Sequence, residues 1–318
     1  MFRFKTPSRK TREIMSKVAS GEVTNADFEQ SCIEKISELT GHDEVRITSS
    51  GNNSIFIALS AVEGDVIVPD QGGWHGFKQI AKFLNKNIIT LKTDLGLINP
   101  DQIDDIEFED GSALIYTSFA GYCAEQDTKS IAKYCRNNGI ITIEDASAGI
   151  GDNEKKLGMH SDIILASTGS PKIINVGSGG FIAANDDEIF KKTSMPQKLS
   201  KTSEIICSGI DSELDNVGEK LDLTFNATEY LKKRIPNSIH RDKRGLNVII
   251  PHDDAKSIGW NLKRSLTTDK SGFITTCPNY NRVKQKAIAI EIKNLDYACL
   301  EKENLDKILK EIEISNLQ

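Results

Sequence analysis

Short apolar runs of strand length alternate with helical patterns through the first two thirds of the chain. Residues 45–48, 65–69, 87–91, 113–117, 140–143, 162–166 and 181–184 are β-branched or apolar runs bounded by glycine and polar turns. Residues 55–61 and 126–135 read as helices between them. Ahead of the first strand, residues 7–20 read as a helix that stops at Gly21. Thr24-Asn25-Ala26-Asp27 then fits a capping box for a helix whose apolar face is Phe28, Cys32, Ile33, Ile36 and Leu39, ended by Gly41. Regular alternation of this kind predicts an α/β fold with a mostly parallel sheet covered by helices.

The pattern changes after residue 195. Residues 211–234 read as one long, largely polar helix, stopped by Arg234-Ile235-Pro236-Asn237. A strand (246–250), a helix (253–266), two strands (273–276 and 286–292) and a last helix (301–312) follow. The expected organisation is a large domain over 1–195, including the N-terminal helices. A connecting helix and a small α+β domain would occupy 196–318.

Composition narrows the function. The chain of 318 residues has 40 Lys and Arg against 46 Asp and Glu, a net charge of −6. That mild acidity, with no basic run, argues against a nucleic-acid partner. The longest apolar runs fall far short of the ~20 residues of a membrane span, and no leader-like apolar segment follows the basic start MFRFKTPSRK. Six scattered cysteines with no C-x-x-C pair suggest buried free thiols in a reducing cytosol, and no metal site is expected.

The chemistry concentrates between residues 143 and 186. One strand delivers Glu144 and Asp145 at its C-terminal end, and the next ends in Ser167-Thr168-Gly169-Ser170-Pro171-Lys172. The small-residue loop Gly177-Ser178-Gly179-Gly180 follows. A carboxylate, a hydroxyl and an amine after strand ends suit pyridoxal 5'-phosphate. Asp145 would hold the pyridine nitrogen protonated. Lys172 would form the imine, once its amine is lowered from a free pKa near ~10.4. Ser167 would donate to the phosphate. Upstream, Ser49-Ser50-Gly51-Asn52-Asn53 lies between a strand and a helix, where backbone N–H groups can meet a phosphate. Trp74, with His75 as the alternative, stands in a glycine-rich loop and can stack on a flat ring.

At these residues the chain resembles the DegT/StrS family of fold-type I, pyridoxal-phosphate-dependent aminotransferases. Glu144-Asp145-Ala146, then Ser167 to Lys172, then Gly177 to Gly180 meet the family's E-D-A, S-x-x-x-x-K and G-x-G-G in order and spacing. The resemblance implies a homodimer and a Lys172 Schiff base. An amino donor, glutamate by expectation, would supply the nitrogen, and the acceptor would be a keto group on a sugar or small metabolite. Departures are visible. Asn52 and Asn53 replace Thr-Ala of the family's S-G-T-A-A, and Ser118 stands where a histidine or asparagine is common. Ala148 replaces the glutamine of E-D-A-A-Q, leaving Ser147 as a partial substitute. The family's G-x-N-x-R segment has no counterpart in 198–217. Arg282 is the candidate clamp for a substrate carboxylate, with Tyr280 beside it. A lyase, dehydratase or racemase reaction on the same fold stays open, as does a regulatory protein without turnover.

Overall fold

The structure, a computed structural model, describes residues 1–270, 272–279 and 282–315. Two helices lead in, α1 (Arg9–Ala19) and α2 (Phe28–Thr40). Ser8 caps the first, and Asp27, not Thr24, caps the second through the Gln30 N–H at 3.0 Å. Gly41 ends α2 in the left-handed conformation (φ 71°), which costs a residue without a Cβ little. The alternating segment follows as β1 (Glu44–Thr48), α3 (Gly51–Ala61), β2 (Val66–Pro69), α4 (Gly76–Phe83), β3 (Ile88–Leu91) and β4 (Ala113–Thr117). A small hairpin, β5 (Phe119–Ala120) and β6 (Ala124–Glu125), precedes α5 (Thr128–Asn137), β7 (Ile141–Asp145), β8 (Ile163–Ser167) and β9 (Gly180–Ala184).

Seven strands form one sheet in the order β1-β9-β8-β7-β4-β2-β3. The block β8-β7-β4-β2-β3 is parallel, and β9 runs antiparallel to both of its neighbours. Both faces are covered, so the strands carry apolar residues on both sides. Ile163 and Leu165 pack in the core that includes α3 and α4, whereas Ile164 and Ala166 pack in the core that includes Cys32 and Ile36 of α2. The expected mostly parallel sheet is therefore the observed one.

The chain continues as α6 (Glu188–Lys192), α7 (Ser194–Leu199), α8 (Glu204–Leu214) and α9 (Val217–Lys232). Here the expectation of a single helix over 211–234 fails, because the chain turns at Asp215 and Asn216. Several of its polar residues, Glu213, Lys220 and Lys232 among them, are buried. Glu213, on α8, accepts from Lys220 of α9 at 2.6 Å and from Thr11 of α1 at 2.5 Å. Gly209 lets α8 lie close on α1, since a Cβ there would come within 2.7 Å of the Met15 sulfur. The small sheet, β10 (Val248–Pro251), β11 (Ile274–Cys277) and β12 (Ala287–Ile290), has β12 in the middle and is antiparallel. It packs with α9, α10 (Ala255–Ser265) and α11 (Lys302–Ile314). Phe2 joins that core, its ring 5.0 Å from Phe273, so the first residues lie with the C-terminal unit. All six cysteines are buried and free, and among the described residues no helix is long and apolar enough to cross a membrane.

Burial pushes the Glu213 carboxyl up, but Lys220, Thr11 and the Ser8 N–H outweigh it and hold its pKa below the usual value. Its stabilising contribution is present above the unfolded carboxylate pKa and is lost as pH falls through the lower folded value. Lys220→Met leaves this carboxylate buried without its cation, so urea denaturation at neutral pH should show a loss of about 3–5 kcal/mol. The gap from the unsubstituted protein should narrow in acid, where Glu213 is protonated.

Candidate active site

The candidate site lies at the C-terminal ends of the parallel strands, where α/β sheets leave a crevice. Asp145 ends β7, Ser167 ends β8, and Lys172 follows in the loop after β8. These three line one cavity of about 500 Å³ together with the start of α3 (Ser50, Gly51, Asn52), Trp74, His75, Tyr122, Ser147, Arg282 and Lys293.

Asp145 is held from one side only. Its Oδ1 accepts the Ser147 N–H at 3.0 Å and the Ser147 hydroxyl. Its Oδ2 has no hydrogen-bond partner among the described residues, although the side chain is buried. Ser147 also accepts the Ser167 N–H at 2.8 Å, so it sets the spacing between the ends of β7 and β8. Glu144, next along the strand, faces away from the cavity. It accepts from Ser118 at 2.6 Å and from the Gly158 N–H at 2.9 Å, and burial pushes its pKa to about 7.

The other wall is the positive end of α3. Ser50 caps the helix through the Asn53 N–H at 3.2 Å. Gly51 sits against the end of β8, where a Cβ would lie 2.5 Å from the Ser167 Cβ. Ser167 accepts the Gly169 N–H at 3.2 Å, which leaves its hydroxyl proton free to donate. Asn52 faces the cavity and accepts the Trp74 indole N–H at 3.2 Å. Asn53 does not line it. Its amide donates to Ser49 at 2.6 Å, so the expected contact from Asn53 is replaced by a brace within the loop.

Two candidates stand differently from expectation. Arg282 reaches the cavity, but Glu291 grips its guanidinium at 3.0 and 3.3 Å, so an internal carboxylate occupies the face proposed for a substrate. Tyr280 lies outside the described residues. The sequence reasoning also missed Tyr122 and Lys293. Tyr122 accepts from Lys172 Nζ at 3.2 Å, and Lys293 pairs with Glu291 at 2.9 Å. The weak signal for Tyr122 was its place after Gly121 in the β5–β6 turn. Lys293 gave none, because only the folded chain brings its amine within 4.8 Å of the distant Tyr122 ring.

The DegT/DnrJ/EryC1/StrS aminotransferase family model matches residues 7–212, most of the chain and all of the strands that build the crevice. The protein is a member of that family. The remaining part, residues 218–313, matches the MJ1341 family C-terminal domain. An uncharacterized protein of Methanocaldococcus jannaschii, MJ1066, is 32% identical over 97 residues, which are 30% of this chain and 25% of that protein. Solved structures agree on the fold. The Helicobacter pylori aminotransferase PseC superposes with a TM-score of 0.76 at 12% identity, over 99% of this chain and 98% of that one. The Streptoalloteichus hindustanus aminotransferase TlmJ gives 0.75 at 14%, over 99% of each. NtdA of Bacillus subtilis, solved with pyridoxamine phosphate, gives 0.72 at 16%, over 98% of this chain and 83% of that one.

The cofactor of this DegT/DnrJ/EryC1/StrS aminotransferase is pyridoxal phosphate, and the residues present fit it. A carboxylate oxygen without a partner, a hydroxyl with a free proton beside a helix N-terminus, and an amine line one cavity. One expectation needs correcting. Burial pushes the Lys172 pKa down, but Tyr122 and Asp145 outweigh burial and Arg282, so it lies above its ordinary value.

The seam between α3 and β8 can be tested by Gly51→Ala. The added methyl must push the helix off Ser167, and thermal unfolding should show a loss of about 1–3 kcal/mol. Titration with pyridoxal phosphate should show weaker binding. An unchanged melting point and affinity would contradict the contact.

Proposed function

We propose that this aminotransferase moves an amino group from a donor amino acid, glutamate in the first instance, to a keto group on a sugar or small metabolite. The supporting observation is the shared cavity of Lys172, Asp145 and Ser167, with the unpartnered Asp145 Oδ2 on its wall. Bound pyridoxal phosphate supplies an aldehyde that joins to primary amines and a ring that draws electrons from the carbon bearing the nitrogen.

The chain's own residues then divide the work. Ser167 and the first turn of α3 would hold the phosphate, as helix N-termini hold anions. Asp145, oriented by Ser147, would keep a proton on the ring nitrogen. Trp74, fixed by Asn52, would cover one face of the ring and keep water from it. Lys172 would anchor the aldehyde, and when released would move a proton at the substrate carbon. Arg282 would meet a donor carboxylate only with its positive charge already balanced by Glu291, so it would orient that group more than attract it.

The proposal includes a cytosolic homodimer and two domains dividing near residue 195. Phe83, Met195 and Leu199, on helices that adjoin α3, are large exposed apolar residues and favour a covered surface there.

A visible absorbance band should form when the protein is mixed with pyridoxal phosphate, and Lys172→Ala should abolish it. Glutamate should convert the bound cofactor to pyridoxamine phosphate. Asp145→Asn should slow that half-reaction by at least ~10²-fold, the scale for losing one charge-stabilising group. Failure of every amino donor to yield pyridoxamine phosphate would turn the reading towards a different reaction of the same cofactor.

A further inference from the structure

Tyr122 is placed with unusual care for a residue outside the family's motif. Its backbone is in the left-handed region (φ 62°), a conformation that costs a side-chain-bearing residue free energy. Two hydrogen bonds hold it there, from the N–H groups of Leu246 (2.8 Å) and Asn247 (3.0 Å) to its carbonyl. The phenol oxygen is thereby brought to 3.2 Å from Lys172 Nζ. Three cations surround the ring: the Arg282 guanidinium at 4.5 Å from its centroid, Lys293 Nζ at 4.8 Å and Lys172 Nζ at 5.6 Å. Burial pushes the phenol pKa up, but Lys172, Arg282 and Lys293 outweigh it, with Asp145 opposing, and the net direction is down. Lys172 moves the other way. Both directions favour a phenolate beside an ammonium, so the pair that must exchange a proton stands ready at hydrogen-bond distance.

We infer that Tyr122 is a catalytic residue: its phenolate takes the proton from the Lys172 ammonium when the amine must act as a nucleophile, and returns it when the amine is released. This rests on the cofactor reading above. In the forward step one N–H bond breaks and one O–H bond forms, so ammonium and phenolate become amine and phenol with no other reactant. The step is required because an ammonium has no lone pair with which to attack. The alternatives at the site are poor. Asp145 makes its side-chain hydrogen bonds to Ser147 and none to Lys172 among the described residues. Arg282 and Lys293 are cations, and His75 is exposed with no hydrogen bond to Lys172.

Tyr122→Phe tests this cleanly, since the ring that carries Arg282 and Lys293 remains and only the oxygen is lost. Stopped-flow growth of the visible band on adding pyridoxal phosphate should slow about 10²-fold at neutral pH, in line with loss of a general base. The slowed rate should climb with pH as hydroxide takes over. A second readout needs no cofactor. Ultraviolet difference titration of the free protein, which has six tyrosines, should show one ionising below the usual ~10, absent from Tyr122→Phe. Lys172→Met should raise that tyrosine's midpoint, which probes the pair even if Tyr122→Phe folds poorly. Capture at the unsubstituted rate across the pH range, or a titration that neither variant alters, would overturn the assignment. A wild-type protein forming no band would instead defeat the cofactor reading, and this inference with it.

Discussion

Helix α3 begins so close to the end of β8 that no side chain fits between them. A Cβ on Gly51 would strike Ser167, and one on Gly180 would lie 2.7 Å from both the Ala166 carbonyl oxygen and the Gly51 nitrogen. This three-way contact of helix start, strand end and returning strand β9 fixes the rest of the site. It sets the positive helix end beside the Ser167 hydroxyl. Through Ser147 it sets Ser167 beside Asp145, and the following loop brings Lys172 to the same cavity. Much of the site's geometry follows from the absence of a methyl group at two positions.

The C-terminal part of the chain contributes charge. Glu291, buried after β12, is held well below the usual carboxylate range: burial raises it, but Lys293 and Arg282 bring it down further. It thereby keeps two cations at the cavity wall whose burial alone would be unfavourable. Asn247 donates to the same carboxylate at 2.7 Å, and its backbone N–H holds the Tyr122 carbonyl. The electrostatics around Lys172 are therefore assembled from both units.

The parts that could be read from the sequence are those written in local order. The strand-and-turn alternation gave the parallel sheet, and Asp145, Ser167 and Lys172 were legible because each sits at a strand end with small residues after it. Gly51 was legible as a glycine that matters, although the structure adds a steric reason to the electrostatic one. The single helix expected over 211–234 is two, because the break at Asp215 and Asn216 carries no glycine or proline to mark it, and the pairing of Glu213 with Lys220 across that break appears only in the folded chain. Asn53 and Arg282 were placed by type, and their partners, Ser49 and Glu291, could not be read from spacing alone. Lys293 is visible only after the chain has folded two sheets together.

The Gly121-Tyr122 corner carries a mechanical consequence. A Cβ on Gly121 would lie 2.8 Å from the Arg282 carbonyl oxygen, and the next residue's carbonyl is clasped by Leu246 and Asn247, just ahead of β10. The N- and C-terminal parts of the chain are therefore sewn together at a residue that touches the Lys172 amine. Any displacement of the C-terminal part would be felt first as a change in the Tyr122–Lys172 separation.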